Sequence, residues 1–263
     1  MSELSELIRF DDIPDFNRRS VNGDLKSAGN TLMLSLIGNP RGNYDQECRD
    51  PTNPAILRHI VRDVDVGPFE VDGLRPAVDV LRTILADVRA QEPAIYDVLS
   101  HAGMLCCRFV RDSHTAISNH SWGTAIDLKL EGRLDTRGDN RVQRGLLRLH
   151  PIFNRHQFFW GAAFGTEDSM HFEASEQLVR SWAEAGVFGA QVAAAPPGLT
   201  HGDRGPAVTA LQEALNRANT PMEVDVDGIF GSQTRAAVIE LQRRLGIMPD
   251  GTVNQRILDV LGL

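Results

Sequence analysis

Only three cysteines occur in this chain of 263 residues: Cys48 and the adjacent pair Cys106 and Cys107. Neighbouring cysteines rarely bridge each other, and an odd number does not make a disulfide framework, so the expected state is the reduced one of a cytoplasm. Long apolar runs are missing too, and none approaches the ~20 residues needed to cross a bilayer. The opening stretch "MSELSELIRFDDIPDF" has no basic start followed by an apolar segment, so no secretory signal is expected. Positive charge is in deficit, with a net charge of −8 and a pI near 5.5. Without clustered Lys and Arg to meet phosphates, nucleic acid is excluded as an expected partner. These absences leave a protein made in the cytoplasm that reaches any outside site of action by release or export.

What is present fits a soluble globular chain. A 42% hydrophobic content over 263 residues allows one large domain or two ordinary ones. The clearest seam is "GAQVAAAPPGLTHGDRG", which follows the helix-like "SEQLVRSWAEAG" with its glycine stop at Gly186. The shift in composition sets domains at 1–189 and 199–263, with a linker at 190–198. In the first domain, Leu74, Val78, Leu81, Leu85 and Val88 recur at three or four residues, the spacing of an amphipathic helix ended by Pro93. "TAIDLKL" alternates instead, which puts Ile126, Leu128 and Leu130 on one face of a strand and Asp127 on the other. "FFWGAAFG" and "SMHFEAS" read as short aromatic-rich strands, with His171 and Glu173 sharing a face. Helices before strands without βαβ alternation predict an α+β domain on a small antiparallel sheet that carries the metal site described below. In the second domain, "DVDGIFGSQTRAAVIELQRRLG" and "MPDGTVNQRILDVLG" look like one unit used twice: an Asp-Gly turn, then a helix. With Val208, Leu211 and Leu215 on one face of a further helix, an all-α three-helix domain is expected. The first seventy residues are loop-rich.

The chemistry gathers in two stretches, "SNHSWGTAID" and "EDSMHFE". His120, Asp127 and His171 offer two imidazoles and a carboxylate, a set that leaves a fourth zinc position for water. Asp168, three residues before His171, is placed to act as a general base. Arg108 is a fixed cation able to hold a developing oxyanion. Each has a structural alternative when taken alone: a hydrogen-bonded histidine beside the core, a capped turn or ion pair for Asp127, and a surface salt bridge for Arg108. Glu167 rivals Asp168 as the base. Trp122, Trp160, Phe158 and Phe159 read as core or pocket wall. Cys106 and Cys107 read as small buried hydrophobes in a strand.

The order Ser118, His120, Gly123, Ala125, Asp127, followed by "EDSMHFE", resembles the zinc D-alanyl-D-alanine carboxypeptidases and L-alanyl-D-glutamate endopeptidases, a family that includes vancomycin-resistance dipeptidases and phage endolysins. The resemblance covers about residues 75–185. It implies that His120, Asp127 and His171 bind Zn2+, that Asp168 is the base, that Arg108 contacts substrate or transition state, and that Ser118 lies near the substrate. The glutamine that many members carry one turn after the arginine is missing from "RFVRDSHTAIS", so no substrate-carboxylate contact is carried over. Glu173 then reads as a support for a histidine, or as a plain strand glutamate. Residues 199–263 resemble the three-helix peptidoglycan-binding domain through "GDRGPAVTALQ" and "DGIFGSQTRAAV". A calcium loop at Asp227 and Gly228 is set aside, because the spacing of acidic ligands is incomplete.

The expected function is hydrolysis of amide bonds in the stem peptides or cross-bridges of bacterial peptidoglycan, by carboxypeptidase or endolysin-type endopeptidase action. Peptidoglycan is the expected partner and the cell wall the site of action, as suits an endolysin released from its host cell. The loops around 131–157 are expected to decide which bond is cut. The alternative is a non-catalytic zinc-containing protein that binds the wall or serves in particle delivery. Oligomeric state is not legible.

Overall fold

Leu74, Val78, Leu81, Leu85 and Val88 do line up on one buried face, joined by Ala77 and Ile84. From Ala77 onward they belong to a helix over Arg75–Gln91, which Leu74 precedes as the N-cap; a proline sits in its first turn, where the missing N–H would have no partner anyway. The computed structural model describes residues 2–188, 199–218 and 222–263. It divides into two compact units, residues 1–189 and 190–263. The linker expected at 190–198 lies outside the described residues.

The strands of the first unit are β1 (Leu7–Arg9), β2 (Ile60–Asp65), β3 (Glu70–Leu74), β4 (Leu99–Gly103), β5 (Ala125–Leu130), β6 (Arg133–Leu134), β7 (Arg141–Gln143), β8 (Phe158–Trp160) and β9 (His171–Ala174). Its helices are α1 (Asn30–Leu36), α2 (Pro54–Leu57), α3 (Arg75–Gln91), α4 (Pro93–Tyr96), α5 (Arg144–Arg155) and α6 (Glu176–Glu184). The main sheet has the order β4-β5-β9-β8, every pair antiparallel, with β6 also paired to β5. Two-stranded ribbons, β1 with β7 and β2 with β3, lie beside it. The architecture is α+β with small antiparallel sheets.

Alternation in β5 is as the sequence implies: Ile126, Leu128 and Leu130 are buried, whereas Asp127 and Lys129 are only half-buried. Strand β9 is buried throughout. Its Phe172 meets Phe153 of α5 with ring centroids 4.2 Å apart, which fixes the helix against the sheet. Trp122 and Trp160 are core residues without exposure. The Trp160 indole donates to the Ser169 carbonyl at 2.7 Å, and so ties the turn before β9 to the core.

Two expectations need correction. Cys48 and Cys106 are joined as a disulfide across 58 residues, and only Cys107 is a free buried thiol. Composition misled because Cys48 sits in an aperiodic loop whose neighbour in space cannot be read from its sequence. The 131–157 stretch is also not mainly loop, since α5 occupies Arg144–Arg155. Its irregular part lies in the turns around β6 and β7 and in the two residues after α5.

The second unit contains α7 (Pro206–Arg217), α8 (Ser232–Arg244) and α9 (Gln255–Leu261) around Val208, Leu211, Leu215, Phe230, Val238 and Ile257. The repeated unit has a physical basis. The buried Gln212 of α7 donates to Asp227 at 2.8 Å and accepts from the Gly228 N–H at 2.9 Å. Gln242 of α8 does the same for Asp250 and Gly251, at 2.7 and 2.8 Å. Each helix thus clamps the following Asp-Gly turn through one side-chain amide, which satisfies buried polar groups on both sides. Asp227 is spent on this turn, as the structural reading of that motif requires.

Candidate metal centre and active site

Asp127 and His171 sit directly opposite each other in the β5–β9 ladder. Side chains at such a position start from neighbouring Cβ atoms, so the sheet itself sets two members of the cluster together. His120 comes from a short 3-10 turn, Asn119–Trp122, that ends at Gly123 with φ of +67°. A Cβ on Gly123 would lie 2.7 Å from the Gly73 Cα and the Leu74 nitrogen, so β3 can pack here only against glycine. The small residues of "SNHSWGTAID" therefore serve a close backbone approach. The same holds at Gly161, where a Cβ would meet the Asp168 carbonyl oxygen at 2.7 Å.

Three atoms converge. The His120 Nε2 lies 3.2 Å from Asp127 Oδ1 and 3.2 Å from His171 Nδ1, which is itself 3.0 Å from the same carboxylate oxygen. The outer ring nitrogens settle the tautomers of the neutral rings. His120 Nδ1 faces the Met104 carbonyl at 3.2 Å, and His171 Nε2 faces Glu173 at 2.9 Å. Both partners are acceptors, so the protons belong on those outer nitrogens and two lone pairs point inward at a carboxylate. Such a triangle can hold a cation. Tetrahedral zinc with bonds of about 2.0–2.1 Å spaces its ligand atoms about 3.3 Å apart, so the donor set and its edges fit the ion. Glu173 also accepts from Asn119 at 2.9 Å, which makes it a buried support rather than a surface glutamate.

The electrostatics agree with a site that wants positive charge. Burial works to lower the His171 imidazole, but Asp127 and Glu173 outweigh it and push it up to about 10. Burial works to raise the Asp127 carboxyl, but His120 and His171 hold it well below the usual carboxylate range.

A cavity of about 500 Å³ opens over this cluster, and Arg108, Ser118, His120, Asp127, Asp168 and His171 all line it. Asp168 is set by two backbone bonds: its N–H donates to Gly161, and its carbonyl accepts from His171. Its Oδ1 is buried and has no hydrogen-bond partner among the described residues. Burial raises its carboxyl above the ordinary value. Glu167, the rival base, does not line the cavity and instead accepts from the Asn140 N–H. Arg108 is half-buried, with one guanidinium nitrogen on the Phe109 carbonyl at 3.1 Å. Burial lowers its guanidinium from the ordinary value, Asp127 and Asp168 opposing, yet an arginine stays charged.

Residues 111–174 match the family model described as D-alanyl-D-alanine carboxypeptidase, and residues 204–261 match that of a putative peptidoglycan binding domain. The chain carries both family segments. The first match takes in Ser118, His120, Asp127, Asp168 and His171, and Arg108 lies just before it. A stretch of 57 residues is 47% identical to an "Uncharacterized protein in bpoA1 3'region" of Kitasatospora aureofaciens, covering 22% of this chain and 48% of that protein. The match thus spans about half the length of that curated relative. No solved structure matches the chain.

Sequence reasoning missed two arginines on the cavity wall, Arg111 and Arg137. Arg137 has no motif around it. It is brought in by Glu167, which holds Gly138 through its carbonyl and Asn140 through its carboxylate.

Proposed function

We propose that the chain is a zinc-dependent peptidase that hydrolyses amide bonds in the stem peptides or cross-bridges of bacterial peptidoglycan, acting at the cell wall. His120, Asp127 and His171 would hold the zinc. When bound, the ion supplies Lewis acidity, which lowers the pKa of water and polarises a scissile carbonyl. Asp168 takes the proton of the attacking water at its carboxylate and returns it to the amide nitrogen as the C–N bond breaks. Its raised pKa suits a group that must both accept and release that proton. Arg108 donates to the carbonyl oxygen as charge develops there, a contribution largest in a site that excludes water. Ser118 borders the space the peptide occupies. The second domain keeps the enzyme on an insoluble polymer, which raises the effective concentration of scissile bonds.

The observation that carries this reading is the convergence of two imidazole nitrogens on one Asp127 oxygen, in a cavity that also holds a buried Asp168 carboxylate oxygen without a partner among the described residues. Among the described residues the cluster contains three protein ligands, which favours an open fourth position over a closed structural site. The test is Asp168→Ala in the full chain. It should keep one zinc per chain yet lose about 10²- to 10⁴-fold in the release of amino groups from purified peptidoglycan. Undiminished release by a zinc-loaded Asp168→Ala enzyme would remove Asp168 from the mechanism.

A further inference from the structure

Asp168 is not held in place by its own side chain. Its Oδ1 is buried without a partner among the described residues, and its Oδ2 lies 3.7 Å from Arg137. Closed charge-assisted bonds run about 2.7–2.9 Å, so that contact is not one. Backbone does the holding instead: the Asp168 N–H donates to the Gly161 carbonyl at 3.0 Å, and its carbonyl accepts from His171 at 3.1 Å. Gly161 opens a short 3-10 turn, Gly161–Ala163, whose carbonyl also accepts from the Phe164 N–H at 3.0 Å. The place of the carboxylate in the cavity therefore depends on where the 160–164 turn sits.

That turn is pinned by a segment distant in sequence, residues 18–22. The buried Asn22 bonds Trp160 twice: its Nδ2 donates to the Trp160 carbonyl at 3.0 Å, and its Oδ1 accepts from the Trp160 N–H at 2.7 Å. Arg18 reaches further along the turn and gives its Nη1 to the carbonyls of Ala162 and Phe164, at 2.5 Å each. One guanidinium nitrogen carries two hydrogens, so a single group can close both bonds and fix the spacing of the two carbonyls. The guanidinium carbon lies 5.9 Å from the centroid of the Phe10 ring, a core residue, which steadies the cation on its other side. Arg18 does not line the cavity, but Phe164 and Asp168, beyond the carbonyls it holds, both do.

We infer that Arg18 is a positioning residue: through the Ala162 and Phe164 carbonyls it fixes the turn from which the Asp168 carboxylate takes its place beside the metal cluster. The inference rests on the peptidase reading above. It gives a share in catalysis to the first seventy residues, which lie outside the 111–174 stretch matched by the peptidase family model. A reacting group misplaced by about 1 Å costs about 10²-fold in rate, so an arginine that never meets the substrate can carry an effect of that order.

The experiment uses the full-length zinc-loaded enzyme and soluble fragments released from purified peptidoglycan by a muramidase, so that kcat and KM separate. Where only intact wall is cut, the maximal rate on saturating wall replaces kcat. Arg18→Met removes the donors and keeps an unbranched stem against Phe10. It should hold one zinc per chain as wild type does, lose about 10- to 100-fold in kcat and keep KM within about 2-fold. Arg19→Met, the same loss of charge at the exposed neighbour, should leave kcat unchanged. In an Asp168→Ala background Arg18→Met should cost nothing further, because no carboxylate remains to be placed, whereas a general loosening of the fold would cost the same in both backgrounds. Amide exchange reads the same coupling without turnover. In Arg18→Met the Phe164 and Asp168 N–H groups, both bonded to the Gly161 carbonyl, should exchange about 10-fold faster or more, with the β5–β9 ladder unchanged.

Unchanged kcat in Arg18→Met, an equal loss in Arg19→Met, or equal losses with and without Asp168 would overturn the inference, while turnover by wild type leaves the peptidase reading intact. Where Asp168→Ala retains no measurable turnover, the exchange pattern decides: faster exchange confined to the 160–168 turn supports the inference, and exchange unchanged there or raised across the whole sheet overturns it. No cleavage of fragments or wall by zinc-loaded wild type removes the peptidase reading and the inference with it.

Discussion

At the scale of single residues, the site depends on groups that never touch substrate. Glu173 fixes the proton on the outer nitrogen of His171 and so decides which lone pair faces inward. Replacing it with glutamine keeps the shape and removes the charge. Zinc affinity, measured by competition with a chromogenic chelator, should fall about 10-fold or more in Glu173→Gln. The pH dependence has a definite sign. In the metal-free protein the His171 imidazole is held up to about 10, so zinc must displace a proton at any lower pH. Affinity should therefore weaken as pH falls from about 10, and should weaken less steeply in Glu173→Gln, whose imidazole is less basic. Identical affinities at every pH would show that Glu173 does not tune the ligand. The clustered residues His120, Asp127 and His171 were legible because histidine and aspartate in a fixed order report chemistry directly. Glu173 was legible only as a choice between support and surface, since a period of two gives the face of a strand but not what covers it. Arg137 was not legible at all. Its place is set by Glu167 through a turn with no periodicity, and nothing local marks the arginine as facing the metal cluster.

At the scale of elements, the decisive segment is residues 106–110, which carries Arg108 into the cavity. On one side it pairs with the metal motif: Cys106 N–H donates to the His120 carbonyl, and Ser118 N–H donates to that of Arg108. On the other side lies the loop of residues 45–49, through the Arg49–Cys107 bridge and the Cys48–Cys106 disulfide. A cross-link spanning 58 residues removes conformational freedom from the unfolded chain. Cys48→Ser should lower stability by about 2–4 kcal/mol in denaturant unfolding without reductant. Equal stability of the two proteins would mean that the bond does not form in solution. The regular elements around this segment were readable from their periods: α3 from its three-and-four spacing, β5 from its alternation. The loop was not, because its place beside residues 106–110 comes from long-range backbone pairing that its own sequence does not encode as a pattern. The glycines show the same limit. Gly123 stands out as small in sequence, but the reason, a β3 backbone 2.7 Å away from where its Cβ would be, exists only in the fold.

At the scale of the whole molecule, two family segments that concern one polymer occur in a single chain. The second was legible nearly end to end, because its repeated Asp-Gly turn and helix encode the clamp by Gln212 and Gln242 locally. The first was legible at His120, Asp127 and His171 and opaque in its first seventy residues, which fold as short helices, strands and turns, several of them held by distant parts of the unit. The measurement to make first is the release of new amino groups from purified, insoluble peptidoglycan by the full chain, before chelation, after chelation and after zinc is restored, with masses of the freed fragments. The expected result is release that stops on chelation and returns with about one zinc per chain. Stoichiometric zinc with no bond cut, across walls of several stem chemistries, would contradict the peptidase reading and leave a wall-binding protein in its place.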